Sequence, residues 1–156
     1  MKKWSIMLVA FTLALLLSAP VLSIETDNSQ GFVHSWHFAK QNIKRAKAYI
    51  KSNGREAYFQ ALKAKKFSDP NYHMFAIDYR GNFLAHPIAQ LNGVNGWKLR
   101  DPNRIYMVRE MVKIARNNGR GWLEYQSINP YTGKEASQLV YIERVNNRFF
   151  IGIAMH

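Results

Sequence analysis

No cysteine occurs in the 156 residues, so a disulfide framework, a thiolate metal site and a cysteine nucleophile are all excluded. Acidic residues are scarce, 10 against 22 Lys and Arg, for a net charge of +12. Paired carboxylates for general acid and base work are correspondingly hard to find: Asp78 has a turn to stabilise, and Glu124 has no acidic partner nearby in the chain. The sequence also lacks a Gly-x-Ser-x-Gly elbow, a phosphate-cradling glycine loop and a zincin motif. Neither an enzyme nor a cofactor is expected. His34 and His37, three apart on a helical stretch, have nothing nearby to complete a metal-ligand set and read as a solvated face.

Long apolar runs are missing too, except at the start. Lys2 and Lys3 precede an apolar stretch over residues 4–17, and no further charge appears before Glu25. That is the layout of a secretory signal, residues 1–23, with cleavage expected after Ser23. An uncleaved anchor is the alternative, since residues 4–22 approach the roughly 20 apolar residues that span a bilayer. Either way the remainder is expected outside the cytoplasm, in the periplasm or an equivalent compartment. No second apolar span follows, so no transmembrane relay is expected and signalling would need a partner.

The basic excess is uneven. Lys40, Lys44, Arg45, Lys47, Lys51, Arg55, Lys63, Lys65 and Lys66 face the single acid Glu56 within residues 40–66. Export separates such a patch from nucleic acid, so an anionic lipid, envelope polysaccharide or acidic partner protein is the expected counterpart, with a merely solvated basic face as the plain alternative.

What is present is periodic. Phe32, Trp36, Ala39, Ile43, Ala46 and Ile50 form an apolar stripe on a long helix, begun at Asn28 or Ser29 and ended at Gly54. A shorter helix follows over about 55–65. The period then drops to two: a strand at 74–79, a tight turn from Asp78 to Gly81, and a returning strand at 82–85. Residues 86–100 have no clear period and read as a lid or binding segment. Asp101-Pro102 is expected to open a helix with Ile105, Val108, Val112 and Ala115 buried, closed by Asn118-Gly119. Strands at 121–127, 137–145 and 148–154 follow, joined through residues 129–133 and Asn146-Asn147, and the last, apolar on both faces, should be central. One α+β domain over residues 28–156, with a single antiparallel sheet, is expected.

The run Phe75-Ala76-Ile77-Asp78-Tyr79-Arg80-Gly81-Asn82-Phe83-Leu84-Ala85-His86-Pro87 resembles the single Cache domain family, PAS-like extracellular sensors of bacterial chemoreceptors and histidine kinases. Leu99-Arg100-Asp101-Pro102, Gly121-Trp122-Leu123-Glu124-Tyr125, Asn129-Pro130 with Thr132-Gly133-Lys134, and Tyr141-Ile142 continue the likeness in order. The resemblance implies a PAS-like fold with a long N-terminal helix and a five-stranded antiparallel sheet. It further implies a pocket for short carboxylates or similar polar metabolites, with no catalysis. Where many members carry Pro-Lys, this chain has Ser137-Gln138, which exchanges a cation for an amide.

Six residues are candidates for the ligand site. His86 ends a strand before Pro87 and could donate at a pocket mouth, or serve a structural bond there. Tyr125 and Tyr141 offer phenolic hydroxyls from a rigid sheet, or core packing. Trp97 is placed to close the loop over a ligand, or to anchor it. Gln138 stands at the family's cation position. Arg100, beside a helix start, is the replacement cation, with Lys98 and Arg104 as rivals. The long helix's seam is a possible homodimer or partner surface. A ligand-free envelope adaptor, working through the basic helix, is the alternative function.

Overall fold

The computed structural model describes residues 28–128 and 133–156. The leading apolar segment, the side chain of Phe32 and the turn residues 129–132 lie outside what is described.

Helix α1 (Asn28–Lys63) changes direction at Gly54, whose backbone (φ 81°, ψ 163°) is non-helical. Only glycine takes that conformation without a Cβ penalty, so the two expected helices are joined with no loop between them. The apolar stripe lies where its spacing puts it: Ala39, Ile43 and Ala46 are buried, and beyond the kink Tyr58, Ala61 and Leu62 join them. They pack on the domain's own sheet, against Met74, Ala76, Phe149, Ile151 and Ile153. The alanines let the helix come close to the strands.

The sheet is fully antiparallel and has six strands: β1 (Ser68–Asp69), β2 (Tyr72–Asp78), β3 (Phe83–Ala85), β4 (Arg120–Ile128), β5 (Glu135–Arg144) and β6 (Phe149–Met155). The two-residue β1 is the strand that sequence patterning passes over. β6 lies between β2 and β5, β4 is one edge, and β1 and β3 pair successively along the other side of β2. The first six residues of β2 and of β6 are buried on both faces, as expected of central strands. Fully burying an Ile or Phe side chain contributes roughly 1.5–3 kcal/mol. These two strands therefore anchor the fold.

Alternation sorts the side chains into two layers. Tyr72, Met74, Ala76, Tyr141, Phe149, Ile151 and Ile153 belong to the α1 layer. Phe75, Ile77, Tyr125, Val140, Ile142, Phe150 and Ala154 belong to the opposite layer, under helix α2 (Met107–Asn117). Val108, Met111, Val112 and Ala115 are the buried face of α2. Arg144 of β5 donates Nε to the Ala115 carbonyl at 3.0 Å, a cation at the helix C-terminus where the dipole favours it.

α2 starts later than Asp101-Pro102 suggests. Arg104 takes a left-handed backbone (φ 65°), and a tight turn closes from the Arg104 amide to the Asp101 carbonyl at 2.9 Å. Asp101 does not cap the helix: the residue before its first turn is Tyr106, which makes no side-chain cap. Instead the buried Asp101 carboxylate accepts from the Ile105 amide (2.7 Å) and the Gln126 amide (3.0 Å), tying the segment to β4. Asp101→Ala strands both amides, so we expect a loss of about 2 kcal/mol in chemical denaturation, with Asp101→Asn, which keeps one acceptor, losing less. A loss below about 0.5 kcal/mol for the alanine variant would show that water replaces the carboxylate.

Candidate functional site

Residues 86–106 cover the α2 side of the sheet and are well tied down. Phe83 exchanges backbone hydrogen bonds with the segment, its amide donating to the Val94 carbonyl (2.9 Å) and its carbonyl accepting from Gly93 (2.8 Å). The Asn92 amide binds the backbone of His86 at both ends, accepting at 2.8 Å and donating at 3.0 Å. A short 3₁₀ turn (Ala89–Leu91) lies between.

Beneath this cover is a cavity of about 100 Å³, roofed by Ile88, Leu91 and Leu99, walled by Met107, Val108 and Met111, and floored by Phe75, Tyr125 and Gln138. His73, Phe83, His86, Ser127 and Ile128 complete it. With liquid water occupying about 30 Å³ per molecule, the space suits a ligand of a few non-hydrogen atoms.

Three of the six candidates meet here: His86, Tyr125 and Gln138. The other three lie elsewhere. Tyr141 is an odd number of residues from Gln138 along β5, so it faces α1, rings against Trp122 at 4.9 Å and bonds Glu143. Trp97 is 39% exposed on an open groove with Arg80, Asn95 and Lys98. The Trp97 ring is held against Gly81, and Arg109 donates to its carbonyl at 2.7 Å. Leu99, two residues on, takes the roofing position instead. Arg100 is exposed on a groove adjoining the cavity, beside Asp101, Gln126 and Glu135. Lys98 and Arg104 are exposed as well.

Two residues that sequence patterning passes over belong with these polar groups: His73 lines the cavity and His156 stands behind it. His73 is set on the cavity face by the alternation His73, Phe75, Ile77, which could have been found by running the β2 period back two residues. His156 follows β6, its amide bonded to the Asn71 carbonyl at 2.9 Å, and no local pattern announces that neighbour.

These groups form one hydrogen-bond chain. The Tyr125 hydroxyl donates to Gln138 Oε1 (2.7 Å), Gln138 Nε2 to His156 Nδ1 (3.0 Å), and His156 Nε2 to His73 Nδ1 (3.0 Å). The direction follows from Gln138: with its oxygen on the hydroxyl, its NH₂ can only donate, which makes Nδ1 of each successive imidazole an acceptor. His86 is fixed separately. Pro87 has no N–H, so the next amide, that of Ile88, donates to His86 Nδ1 at 3.0 Å. His73 and His86 thus each present a remaining Nε2–H, with no acceptor among the described residues, and their rings are 4.9 Å apart.

All three imidazoles are held neutral at pH 7. Burial, then the neighbouring His86 and His156, push His73 down to about 3. Burial alone takes His86 to about 4, and burial also lowers His156, with Asp69 opposing it. Burial holds the Tyr125 phenol above its ordinary range. Among the described residues no Lys, Arg, Asp or Glu lines the cavity. The arrangement offers two N–H donors and an amide to an oxygen-bearing ligand, surrounded by apolar walls. Among the described residues no group of three or more His, Cys, Asp or Glu is disposed to hold a metal ion.

Comparison with known proteins gives this geometry a context. The sequence family described as Single Cache domain 2 matches residues 37–147. The structure is similar to that of a methyl-accepting chemotaxis protein from Vibrio parahaemolyticus RIMD 2210633, with a TM-score of 0.73 at 20% identity over 84% of this chain and 94% of that one. It is also similar to a periplasmic sensor domain of a chemotaxis protein, with a TM-score of 0.65 at 20% identity over 86% and 99%. A third likeness is to a Cache chemosensory domain described for carboxylic acid recognition, at 0.62 and 20% identity over 83% and 92%. At such identities these likenesses establish the shared fold.

Proposed function

Because the chain belongs to the single Cache domain family, we propose that it binds a small polar metabolite of carboxylate type in the cavity between the sheet and residues 86–106. Its class is an extracytoplasmic sensor domain, a ligand-binding signalling module and not an enzyme. The observation that carries the ligand reading is the pair of unengaged imidazole N–H groups, aligned by Ile88 and by the chain from Tyr125, beside an apolar space of a few atoms' volume. Donors without protein acceptors suit a carboxylate or carbonyl oxygen. His86 and Gln138 would hold the ligand, and Leu99 and Ile88 would cover it.

In this reading residues 1–23 direct the domain out of the cytoplasm. Its output passes through a membrane-bound signalling partner, because ligand binding shifts only the population of the covered form of residues 86–106. Such a shift would reach a partner through α1, whose exposed Lys44 and Lys51 lie away from the sheet.

A thermal-shift series with acetate, propionate, butyrate and their amides tests the proposal. A binder at about 100 times its Kd should add roughly 2.7 kcal/mol, or roughly 10 °C in Tm for a domain of this size. No stabilisation by any member of the series would overturn it.

A further inference from the structure

We propose that a monocarboxylate enters this cavity together with one proton, which His73 takes up as the ligand's counter-charge while His86 remains a neutral donor. The inference rests on the reading of the cavity as the ligand site.

An anion moved into an apolar enclosure without a partner costs several kcal/mol. Most sites meet that cost with a fixed Lys or Arg, and none of the described residues that line this one is either. The cations in reach of His73 are Lys63 and Lys65, which line a separate open groove with it on the solvent side. They raise the local concentration of anions but stay outside the cavity. The remaining titratable groups around His73 are His86 after β3, His156 after β6 with Asp69 of β1 behind it, and Tyr125 of β4. α2 brings only Met107, Val108 and Met111 to the cavity. Only imidazole among the cavity's own side chains changes charge near neutral pH.

The two histidines facing the cavity are not equivalent as proton acceptors. His86 Nδ1 accepts from a backbone amide, that of Ile88. Protonating that nitrogen would set two donors against each other, and the backbone amide cannot reverse. His73 Nδ1 faces His156, the end of a chain whose every member is both donor and acceptor. Protonated, His73 donates to His156 Nε2; His156 then donates from Nδ1 to the Gln138 oxygen after an amide flip, and the Gln138 NH₂ donates to the Tyr125 oxygen. Every bond survives with its direction reversed. The chain therefore keeps its three bonds in both charge states of His73, and Tyr125 ends it without ionising, its O–H released from Gln138 to donate to the ligand's oxygen in the cavity that it lines. Burial and the neighbouring imidazoles hold His73 neutral at pH 7, so its proton arrives with the ligand.

Calorimetric titration of the domain tests this with propionate, or with whichever of acetate, propionate and butyrate stabilises it most. Run at pH 7 in two buffers of different ionisation enthalpy, it should show close to one proton taken up per ligand. Affinity should fall about tenfold per unit rise from pH 6 to 8. The corresponding amide should bind with no proton uptake. In His73→Gln, acid binding should weaken and lose both the uptake and the pH dependence. In ring-labelled wild type, one histidine should become imidazolium on adding the acid, which keeps the test open if the variant does not fold. Acid binding without proton uptake would overturn the inference and leave the ligand reading standing. So would full uptake retained in His73→Gln, or binding with no imidazolium signal, because the proton would then sit on the ligand. Binding by none of the acids or amides would overturn both.

Discussion

Gly152→Val is expected to destabilise the domain by about 3 kcal/mol or more, lowering Tm by roughly 10 °C. Gly152 lies in β6 directly opposite Phe75 of β2. A Cβ placed there would lie 2.3, 2.6 and 2.9 Å from carbons of the Phe75 ring, closer than carbon atoms can approach. The ring is 98% buried by its neighbours and can give way only into the cavity that it floors. Strand alternation puts both residues on the α2 face, so even Gly152→Ala should cost about 1–3 kcal/mol. Phe75→Leu in the same chain should recover part of the loss, giving a coupling energy above about 1 kcal/mol in a double-mutant cycle. Independent, additive effects of the two substitutions would refute the contact. A ring displaced by the new methyl would also fill cavity space, so ligand affinity should fall with stability.

Acidification should unfold the protein in the window between pH 6.5 and about pH 3. His73 and His86 are held at about 3 and about 4, and His156 below its ordinary range, whereas in the unfolded chain they titrate near 6.5. Above pH 6.5 both states carry these imidazoles neutral and their burial has no protonation cost. As pH falls below 6.5 the unfolded chain binds protons that the native state does not, so stability declines until the native pKa values are passed. His73 adjoins both other rings, so the contributions are not additive, and His73 and His86 together should cost on the order of 5 kcal/mol by pH 4. That is comparable with the whole stability of a small domain. Denaturant titrations from pH 7.5 to 4.5 should show the decline, and in His86→Gln the slope should flatten between pH 6 and 4.5. A slope unchanged in that variant would assign the acid sensitivity to other groups.

How much of the site could be read in the chain depends on which kind of neighbour is meant. His86 was legible because it stands at a strand end before Pro87, and that local fact also explains its hydrogen bond: proline's missing N–H leaves the Ile88 amide as donor. Tyr125 was legible as a phenol on a rigid strand and Gln138 through the family resemblance; that the hairpin pairs the two directly is what the structure adds. Tyr141 and Trp97 illustrate the failure. Both are aromatic and near the site in sequence, yet a one-residue parity change turns Tyr141 to the other layer, and the close fit of Trp97 on Gly81 holds its ring outside. Arg100 was read from a helix start that the left-handed Arg104 moves to Met107.

Apart from the two-residue β1 and the start of α2, the element types, their order, the buried side of each helix and the centrality of β6 follow from the residues themselves, since each depends on spacing within one segment. The meeting of His73 with His156 is of another kind. They are 83 positions apart, and their contact depends on the β2–β6 register, which is selected by how two buried faces fit at once. The absence of any fixed charge among the described residues that line the cavity is decided the same way: basic residues are plentiful in the chain, and only the packed arrangement of strands, α2 and residues 86–106 keeps the described ones out of it.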